Sequence, residues 1–251
     1  MIELDSVTKR FEAEVAVDSL SLQVPEGSTT ILIGPSGCGK STLLKLMNGL
    51  LLPTSGQVRV DGREVSEANA RGVRQQMGYV IQDGGLFPHL AARGNATLMA
   101  NHLGWDQRRI DERLAELVEL TEFPESGLDR YPRELSGGQQ QRISLIRALV
   151  LDPPILLLDE PLGALDPIIR ANLQDDLAEI FEALGKTVVM VTHDMGEAVF
   201  FGDEIVLMRE GAIVQSGSAR ELVHEPAEPF VEDFIRAQRS PLEGLGGAGA
   251  P

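Results

Sequence analysis

Short apolar runs alternate along this chain with longer stretches in which apolar residues recur every three or four positions. Four of the short runs, at 29–33, 155–158, 187–191 and 205–208, are aliphatic or β-branched and are bounded by turn-forming residues. Such runs are typical of buried strands, and the recurring pattern between them is typical of amphipathic helices. The alternation predicts an α/β fold with a mostly parallel sheet and helices packed against it.

A helical pattern covers residues from about 87 to 152 almost throughout. Ile110, Leu114 and Leu117, for example, are spaced so that they share one face of a helix. Because no strand pattern interrupts this stretch, we expect it to be an α-helical subdomain inserted into the α/β core.

The expected domain boundaries follow from this division. The core comprises about 1–86 and 153–239, so that residues 1–239 form one domain with the helical insertion. Residues 240–251 are rich in Gly, Ala and Pro and have almost nothing to bury. We expect them to form a flexible tail.

Composition and charge narrow the possible functions. The 251 residues are 43% hydrophobic, which suffices for a real core. The formal net charge of −16 argues against a nucleic-acid partner, because phosphate binding needs clustered Lys and Arg. The N-terminus does not resemble a signal peptide, and no stretch approaches the roughly 20 apolar residues of a membrane span. We therefore expect a protein that acts in the cytoplasm.

A glycine-rich loop follows the first predicted strand. Its eight residues fit the pattern G-x-x-x-x-G-K-[ST] and are Gly34, Pro35, Ser36, Gly37, Cys38, Gly39, Lys40 and Ser41. The loop lies between that strand and a predicted helix over 41–51, which is the context that a phosphate-binding loop requires. Backbone N–H groups of such a loop, together with the helix N-terminus, converge on a phosphate.

Four side chains in and next to this loop have expected roles. Lys40 would bridge the β- and γ-phosphates of a nucleotide, the Ser41 hydroxyl would ligate Mg²⁺, and Thr42 would also contact the nucleotide. Cys38 is most simply a small side chain where there is room only for a small one. As a hypothesis from its place beside a helix N-terminus, bound nucleotide would shield its thiol from alkylation. The loop alone leaves open whether the protein is a GTPase, a kinase or a motor.

Two acids end the apolar run that begins at residue 155. Strand ends of this kind point at the ligand crevice of an α/β sheet. Asp159 would hold Mg²⁺, usually through water, and Glu160 would orient and polarise the water that attacks the γ-phosphate. An acidic turn at a strand end is common by itself, but the phosphate-binding loop upstream favours the catalytic interpretation. Loop and acids together indicate a nucleotide hydrolase.

The sequence Leu-Ser-Gly-Gly-Gln at 135–139 begins a further predicted helix. Ser136 is a good N-cap, and Gly137 and Gly138 let backbone N–H groups approach a phosphate closely. Taken alone, this segment is a capped helix start. Ending in Gln139, it resembles the signature of the ATP-binding cassette (ABC) ATPase family, and it lies about the expected distance before the acidic strand end.

Four further positions match the motifs of that family. Phe11 matches the aromatic residue that stacks on adenine, although the family more often has Tyr there. Gln82 matches the Q-loop glutamine, which senses Mg²⁺ and the γ-phosphate. Asp166 matches the D-loop, which reaches across a dimer interface, and His193 matches the switch histidine. Each match is weak alone, but all occur in the family's order between residues 1 and 217, and the chain is identified as a member of the ABC ATPases.

The resemblance implies a P-loop NTPase core of the ABC type, with a mostly parallel sheet, an N-terminal antiparallel β region and the helical insertion. It also implies a composite site, in which residues 136–139 of one subunit close on ATP and Mg²⁺ held by the loop of another. A homodimer is therefore expected. The catalytic set would be Lys40, Gln82, Glu160 and His193.

The resemblance further implies a membrane partner. Related ATPases contact their permease at the segment corresponding to Asp83 to Leu90. Here Leu86 and Phe87 would form an exposed apolar pair that fits a docking groove. Alternatively, the two residues form a buried hydrophobic hinge. The chain would then lie peripherally on the inner face of the cell membrane.

Two features resemble one group of bacterial importers. Separate cassette and permease chains, together with Arg142, resemble importers fed by an extracytoplasmic substrate-binding protein. Residues 78–89 look most like the glycine betaine, choline and related osmoprotectant branch. Because the ATPase never touches the cargo, polyamine or amino-acid import is an alternative, and so is a soluble ABC ATPase without a transport role.

Overall fold

A computed structural model describes residues 1–12, 14–82, 84–163 and 165–238. The predicted flexible tail, 240–251, lies outside the described residues. The strands are β1 (Ile2–Phe11), β2 (Glu14–Val24), β3 (Thr29–Ile33), β4 (Ser55–Val60), β5 (Arg63–Glu64), β6 (Met77–Val80), β7 (Ile155–Asp159), β8 (Thr187–Val191), β9 (Glu204–Arg209) and β10 (Ala212–Gly217).

Helices connect and cover these strands. They are α1 (Lys40–Met47), α2 (Ala70–Gln75), α3 (Ala92–His102), α4 (Gln107–Leu120), α5 (Gly137–Leu149), α6 (Pro167–Leu184), α7 (Met195–Phe201), α8 (Ala219–His224) and α9 (Pro229–Ala237), with short 3₁₀ turns at Glu125–Gly127 and Pro132–Glu134. Within the described residues, no helix is both long enough and apolar enough to cross a membrane.

The strands form two sheets. One is antiparallel, in the order β2-β1-β4-β5, and the other is mixed, in the order β10-β9-β3-β8-β7-β6. Five strands of the mixed sheet are parallel, and β10 pairs antiparallel with β9. This arrangement confirms the predicted α/β class, with its mostly parallel sheet and N-terminal antiparallel region.

The central strands of the mixed sheet are buried on both faces. Every residue of β3, β7 and β8 is buried, which explains why their sequences are continuous apolar runs rather than alternating ones. Alternate residues of β3 belong to different cores. Ile31 and Ile33 belong to the core that includes helices α3 to α7, whereas Leu32 belongs to the core that includes α1 and the antiparallel sheet. The parallel sheet therefore joins two hydrophobic cores.

Helix α1 is shorter than the predicted helix over 41–51 and ends at Met47. Gly49 has φ of 66°, in the left-handed region where a helix stops. A Cβ at this position would lie 2.9 Å from Cγ1 of Val65, so the close approach of the chain also requires glycine. The Asn48 side chain accepts a hydrogen bond from the Leu50 amide at 2.9 Å in place of a further helical turn.

Helices α3, α4 and α5 occupy the stretch between β6 and β7. The predicted apolar face of α4 is buried, with Ile110, Leu114 and Leu117 each at most 2% exposed. Arg142 on α5 donates to the carbonyl of Thr121, which caps α4, and lies 2.5 Å from the Asp176 carboxylate on α6. This arginine therefore ties three helices together.

The topology brings four chain segments to one edge of the mixed sheet. Strands β3, β8, β7 and β6 are parallel neighbours, so their carboxyl ends lie side by side. The residues that follow them are Gly34, His193, Glu160 and Gln82 respectively, each within two residues of its strand end. Ligands of such sheets bind at the carboxyl ends of the strands.

Candidate functional site

A cleft of about 420 Å³ opens at this edge of the sheet. Nine of its lining residues were singled out from the sequence, and Glu14 and Ala16 of β2 are additional. No motif marks these two, because they reach the cleft through the pairing of β2 rather than through a local pattern. The nine predicted lining residues are Phe11, Ser36, Gly37, Gly39, Lys40, Ser41, Thr42, Gln82 and Glu160.

The glycine-rich loop approaches other strands too closely for a side chain. Gly39, the N-cap of α1, has φ of 106°, and a Cβ there would overlap the carbonyl oxygen of Ala16. Gly34 has φ of 148°, and a Cβ there would overlap the carbonyl oxygen of Met208. Both positions therefore require glycine for two reasons, the backbone conformation and the contact.

Lys40 is held by its own loop. Its ammonium donates to the carbonyl oxygens of Gly34 at 2.7 Å and Pro35 at 3.0 Å, and it lies 3.7 Å from the Cys38 sulfur. Although only 6% of the lysine is exposed, it lines the cleft. This geometry places a positive charge at the start of α1, beside the amide groups that the helix leaves unpaired.

Gly34, Pro35 and Cys38 are not among the lining residues of the cleft. Cys38 is 4% exposed and packs in the core beneath the loop. The fold itself buries this thiol, in agreement with a small side chain at a tightly packed position, and shielding by nucleotide stays a prediction.

A hydroxyl and a carboxylate meet at the base of the cleft. The Ser41 hydroxyl donates to Oδ1 of Asp159 at 2.9 Å, and Asp159 is 4% exposed. Burial raises the pKa of Asp159, the nearby charge of Glu160 raises it further, and the Ser41 hydrogen bond opposes both. Burial and the Asp159 charge in turn raise the pKa of Tyr79.

This pair fits a magnesium ion. Hydroxyl and carboxylate oxygens are ligands that Mg²⁺ prefers, and a cation would offset the cost of the buried Asp159 charge. Nowhere in the described chain do three or more His, Cys, Asp or Glu residues form a group able to hold a metal. A cation at Ser41 and Asp159 would therefore complete its shell mainly with phosphate oxygens and water, as Mg²⁺ does at nucleotide sites.

Glu160 has a strained backbone. Its φ of 48° lies in the left-handed region, which for a non-glycine residue costs on the order of 1–3 kcal/mol. Its amide donates to the Val191 carbonyl at 3.0 Å, and its Oε2 lies 3.2 Å from Nδ1 of His193. The strain thus accompanies a conformation that places the carboxylate in the cleft and beside the histidine.

A buried carboxylate braces the loop that carries His193. The Asp194 amide donates to the Thr192 hydroxyl at 3.1 Å, and that hydroxyl donates to Oε2 of Glu197 at 2.5 Å. Glu197 is 3% exposed, and burial raises its pKa. The sequence did not single out Glu197, because a Glu in the first turn of a helix is ordinarily a solvated residue.

The signature residues lie on another surface. Ser136 caps α5: its hydroxyl accepts from the Gln139 amide at 3.3 Å, and the Gln139 side chain accepts from the Ser136 amide at 3.0 Å. Gly138 packs against Ile169 at the start of α6, which Asp166 caps by accepting from two amides at 3.1 Å. Neither the signature residues, Gly137 included, nor Asp166 line the cleft.

In the segment expected to contact a permease, the exposure of the apolar side chains agrees only partly with the prediction. Asp83 lies outside the described residues. Leu86 is half-buried against the main core, so the prediction of an exposed apolar pair is wrong for Leu86, while Phe87 is 43% exposed. Asn95 of α3 fixes this segment: it accepts from the Phe87 amide at 2.7 Å and donates to the Leu90 carbonyl at 2.9 Å.

An apolar cleft of about 420 Å³ lies beside Phe87 and is separate from the first. Side chains of β6, α3 and the end of α5 form its walls. The apolar residues that line it are Met77, Tyr79, Ile81, Phe87, Leu98, Met99, Ala148 and Leu151.

Comparison with known proteins identifies the family. Residues 17–163 match the family described as ABC transporter. The chain is 45% identical, over 95% of its length, to the glycine betaine/carnitine/choline transport ATP-binding protein OpuCA of Bacillus subtilis, and spans 63% of that protein. It is 44% identical, over 94% of its length, to the glycine betaine uptake system ATP-binding protein YehX of Escherichia coli, and spans 76% of it.

A solved structure agrees with the fold. The dimeric structure of MJ0796, a bacterial ABC transporter cassette, is similar with a TM-score of 0.80 and 34% identity, covering 87% of this chain and 98% of that one. The order of the motifs, the two sheets and the family match over residues 17–163 agree with one another. The chain therefore belongs to the ABC transporter family, and the predicted family membership is confirmed.

Proposed function

We propose that this chain binds and hydrolyses ATP as the motor of an importer, acting as a homodimer with two composite sites. The observation that carries the proposal is the separation, within one chain, of the phosphate-binding cleft from the signature surface at Ser136, Gly137 and Asp166. Residues 1–239 would form the cassette, with about 87–152 as its helical subdomain.

The cleft can hold a nucleotide along its length. The Phe11 ring is 43% exposed at the cleft and could stack on adenine, with the Lys9 ammonium 5.3 Å from the ring centroid. The phosphates would lie on the loop, where Lys40 meets their negative charge. Ser41, Asp159 and Gln82 would hold Mg²⁺, which neutralises charge on the phosphate oxygens.

Hydrolysis needs a positioned water more than a strong base. Glu160 would accept a hydrogen bond from that water as it attacks the γ-phosphorus, and would take its proton as the bond to the bridging oxygen breaks. His193, 3.2 Å from the Glu160 carboxylate, would donate to the γ-phosphate and keep Glu160 in place. The products are ADP and inorganic phosphate.

The second subunit would complete this site. The start of α5 exposes Ser136 and Gly137, and its unpaired backbone N–H groups can bind the γ-phosphate of ATP held by the partner. In the dimeric MJ0796 structure, a related cassette also assembles as a pair. Closing of the dimer on ATP, and opening after hydrolysis, would be passed to a permease.

The permease would contact the segment up to Leu90, where exposed Phe87 borders the apolar cleft. The chain would then lie peripherally on the inner face of the membrane, in a complex that includes an extracytoplasmic substrate-binding protein. Since OpuCA and YehX are named for glycine betaine, carnitine or choline transport, we propose osmoprotectants of this quaternary-amine type as cargo.

Reconstitution tests the cargo. The chain, its permease and binding protein would be placed in vesicles, and uptake of glycine betaine, choline and carnitine would be compared with that of spermidine and of amino acids. We expect Mg-ATP to drive uptake of the quaternary amines only. Uptake of spermidine or an amino acid without the quaternary amines would contradict the assignment of cargo, and uptake of none would contradict import.

A further inference from the structure

Two side chains of the signature helix hold the turn that carries Gln82. Ser144 and Arg147 are three residues apart on α5 and so share one face of it. The Ser144 hydroxyl donates to the carbonyl oxygen of Gly84 at 2.7 Å. The Arg147 guanidinium donates to the same oxygen at 2.8 Å and, through its other terminal nitrogen, to the carbonyl of Gly85 at 2.8 Å.

A backbone hydrogen bond joins the residues on either side of Gln82. The Gly84 amide donates to the Ile81 carbonyl at 3.0 Å. Gly84 and Gly85 have φ of 69° and 54°, and a Cβ at Gly85 would overlap the side chain of Ile81. Contacts at the two glycine carbonyls therefore fix where the Gln82 side chain enters the nucleotide cleft.

These contacts are built into the interior. Ser144 has no exposed surface, and Arg147 is half-buried. A guanidinium that donates to two successive carbonyls in a planar fork gives a charge-assisted and directional contact, which a flexible ammonium does not reproduce. The turn and the helix are about 60 residues apart in sequence, so only the tertiary fold brings them together.

We propose that Ser144 and Arg147 are positioning residues that couple Gln82 to the signature helix. The inference rests on the proposed function, in which Gln82 acts on the bound nucleotide. Helix α5 begins in the signature at Gly137 and reaches Arg147 about 15 Å further on, at 1.5 Å per residue. A shift of the signature end, as it closes on the partner's ATP, would then move the Gln82 turn as one body with the helix.

A double-mutant cycle tests this coupling. The purified chain would be prepared as Arg147→Met, Gln82→Ala and the combination of both, and kcat and KM for Mg-ATP hydrolysis would be measured. If Arg147 acts through Gln82, Arg147→Met should lower kcat about tenfold with KM changed less than about twofold, and the combined variant should be no slower than Gln82→Ala alone.

A second readout needs no nucleotide. Hydrogen exchange of the amides in residues 78–86 should be about tenfold faster in Arg147→Met, because the turn loses its external contacts. Arg113→Met is the matched control: Arg113 is also largely buried and donates to a helix carbonyl, that of Leu149, at 3.1 Å, without touching the turn. It should lower stability and leave both kcat and this exchange unchanged.

Several outcomes would overturn the proposal. Additive losses of kcat, unchanged exchange in the turn, or the same changes in Arg113→Met would each show that Arg147 is only structural. If Arg147→Met does not fold, Ser144→Ala and Arg147→Lys serve in its place, with smaller effects in the same direction. If the unmodified chain does not hydrolyse Mg-ATP, the proposed function fails, and the exchange measurement still decides for or against the coupling.

Discussion

The phosphate-binding loop and the signature are alike in sequence, since each uses glycines to begin a helix, but their surroundings differ. Lys40 and Ser41 contact groups outside their own helix, namely the loop carbonyls and the Asp159 carboxylate. Among the residues that the structure describes, Ser136 bonds only within its own helix start, and Gly137 is exposed. One helix start is thus half of a local site, whereas the other presents its amides outward.

The comparison shows how one chain can carry every motif and still lack a complete site. Changes in the loop should affect nucleotide binding directly. Changes in the signature should spare binding to the single chain and affect the steps that need a second subunit. The predictions below separate these two consequences, beginning with the residue that serves the chemical step itself.

Glu160→Gln should have the largest effect. Loss of the carboxylate removes the group that orients the water and takes its proton, a contribution of typically 10² to 10⁴ in rate. We expect hydrolysis to fall by about that factor, while ATP binding persists and a stable ATP-dependent dimer accumulates, as measured by light scattering. Glu210→Gln is the control, because Glu210 shares the left-handed backbone at φ of 50° but lies in an exposed turn. A monomer in ATP, or normal turnover, would contradict the role of Glu160.

Gly137→Asp should rank second. A Cβ at this position meets only the Leu165 side chain, at 3.3 Å, and an acidic residue in the first turn of a helix is favourable, so the fold should persist. The added carboxylate would repel the γ-phosphate of the partner's ATP. Hydrolysis should fall about a hundredfold, whereas the affinity of the single chain for ATP should change less than about twofold. A large loss of affinity in calorimetry would instead place the signature in its own chain's site.

Lys40→Ala should weaken nucleotide binding itself. Hydrogen bonds between charged partners contribute about 1.5–3 kcal/mol, which corresponds to roughly a 10- to 100-fold loss of affinity. Lys186→Ala is a matched control, because Lys186 is likewise largely buried and ion-paired, with Asp152 at 2.6 Å, away from the cleft. Unchanged affinity in the Lys40 variant would contradict the role of the loop.

The smallest expected effect concerns pH and the brace beneath His193. Burial raises the pKa of Glu197, so between the ordinary glutamate pKa and the raised one the folded chain holds more protons than the unfolded chain. The unfolding free energy of the wild type should therefore fall as pH rises through this window, by about 1.4 kcal/mol per unit of pKa shift.

The Glu197→Gln variant lacks this titration. The stability of the variant, measured as its unfolding free energy in urea minus that of the wild type, should increase as pH rises from about 4 towards neutrality. The charged neighbours Asp194, Arg170 and His193 are common to both proteins and largely cancel in the difference. A difference that stays constant with pH would show that Glu197 does not titrate in this window.

Local patterns predicted the parts of the fold that depend on local physics. Strands β3 and β8 have the predicted bounds because a strand buried on both faces is a continuous apolar run. The end of α1 was missed because Gly49, whose backbone is left-handed, lies inside an otherwise helical pattern. The partial burial of Leu86 was missed, because it depends on core residues that lie elsewhere in the chain.

The candidate site shows the same division. The loop residues of the cleft could be found because their spacing along the chain is fixed by the chemistry of phosphate binding, whereas Phe11 and Gln82 were found only through the family resemblance. Glu197, Ser144 and Arg147 could not, because their partners are hydrogen-bond acceptors or donors that only the folded chain brings near. The antiparallel region was predicted only from the family resemblance. The register of β1 is irregular, and this breaks the alternation of apolar and polar residues that would indicate a strand.

Mixing two inactive variants tests the composite site most directly. Lys40→Ala damages the loop and Gly137→Asp damages the signature, so a dimer of one with the other has one site with both changes and one site with neither. At an ATP concentration that saturates the wild type but not Lys40→Ala, each variant alone should hydrolyse little Mg-ATP. The mixture should recover up to about a quarter of the wild-type rate, because half the dimers are mixed and each has one intact site. No recovery in a mixture shown to form mixed dimers would contradict the claim that two chains share each site.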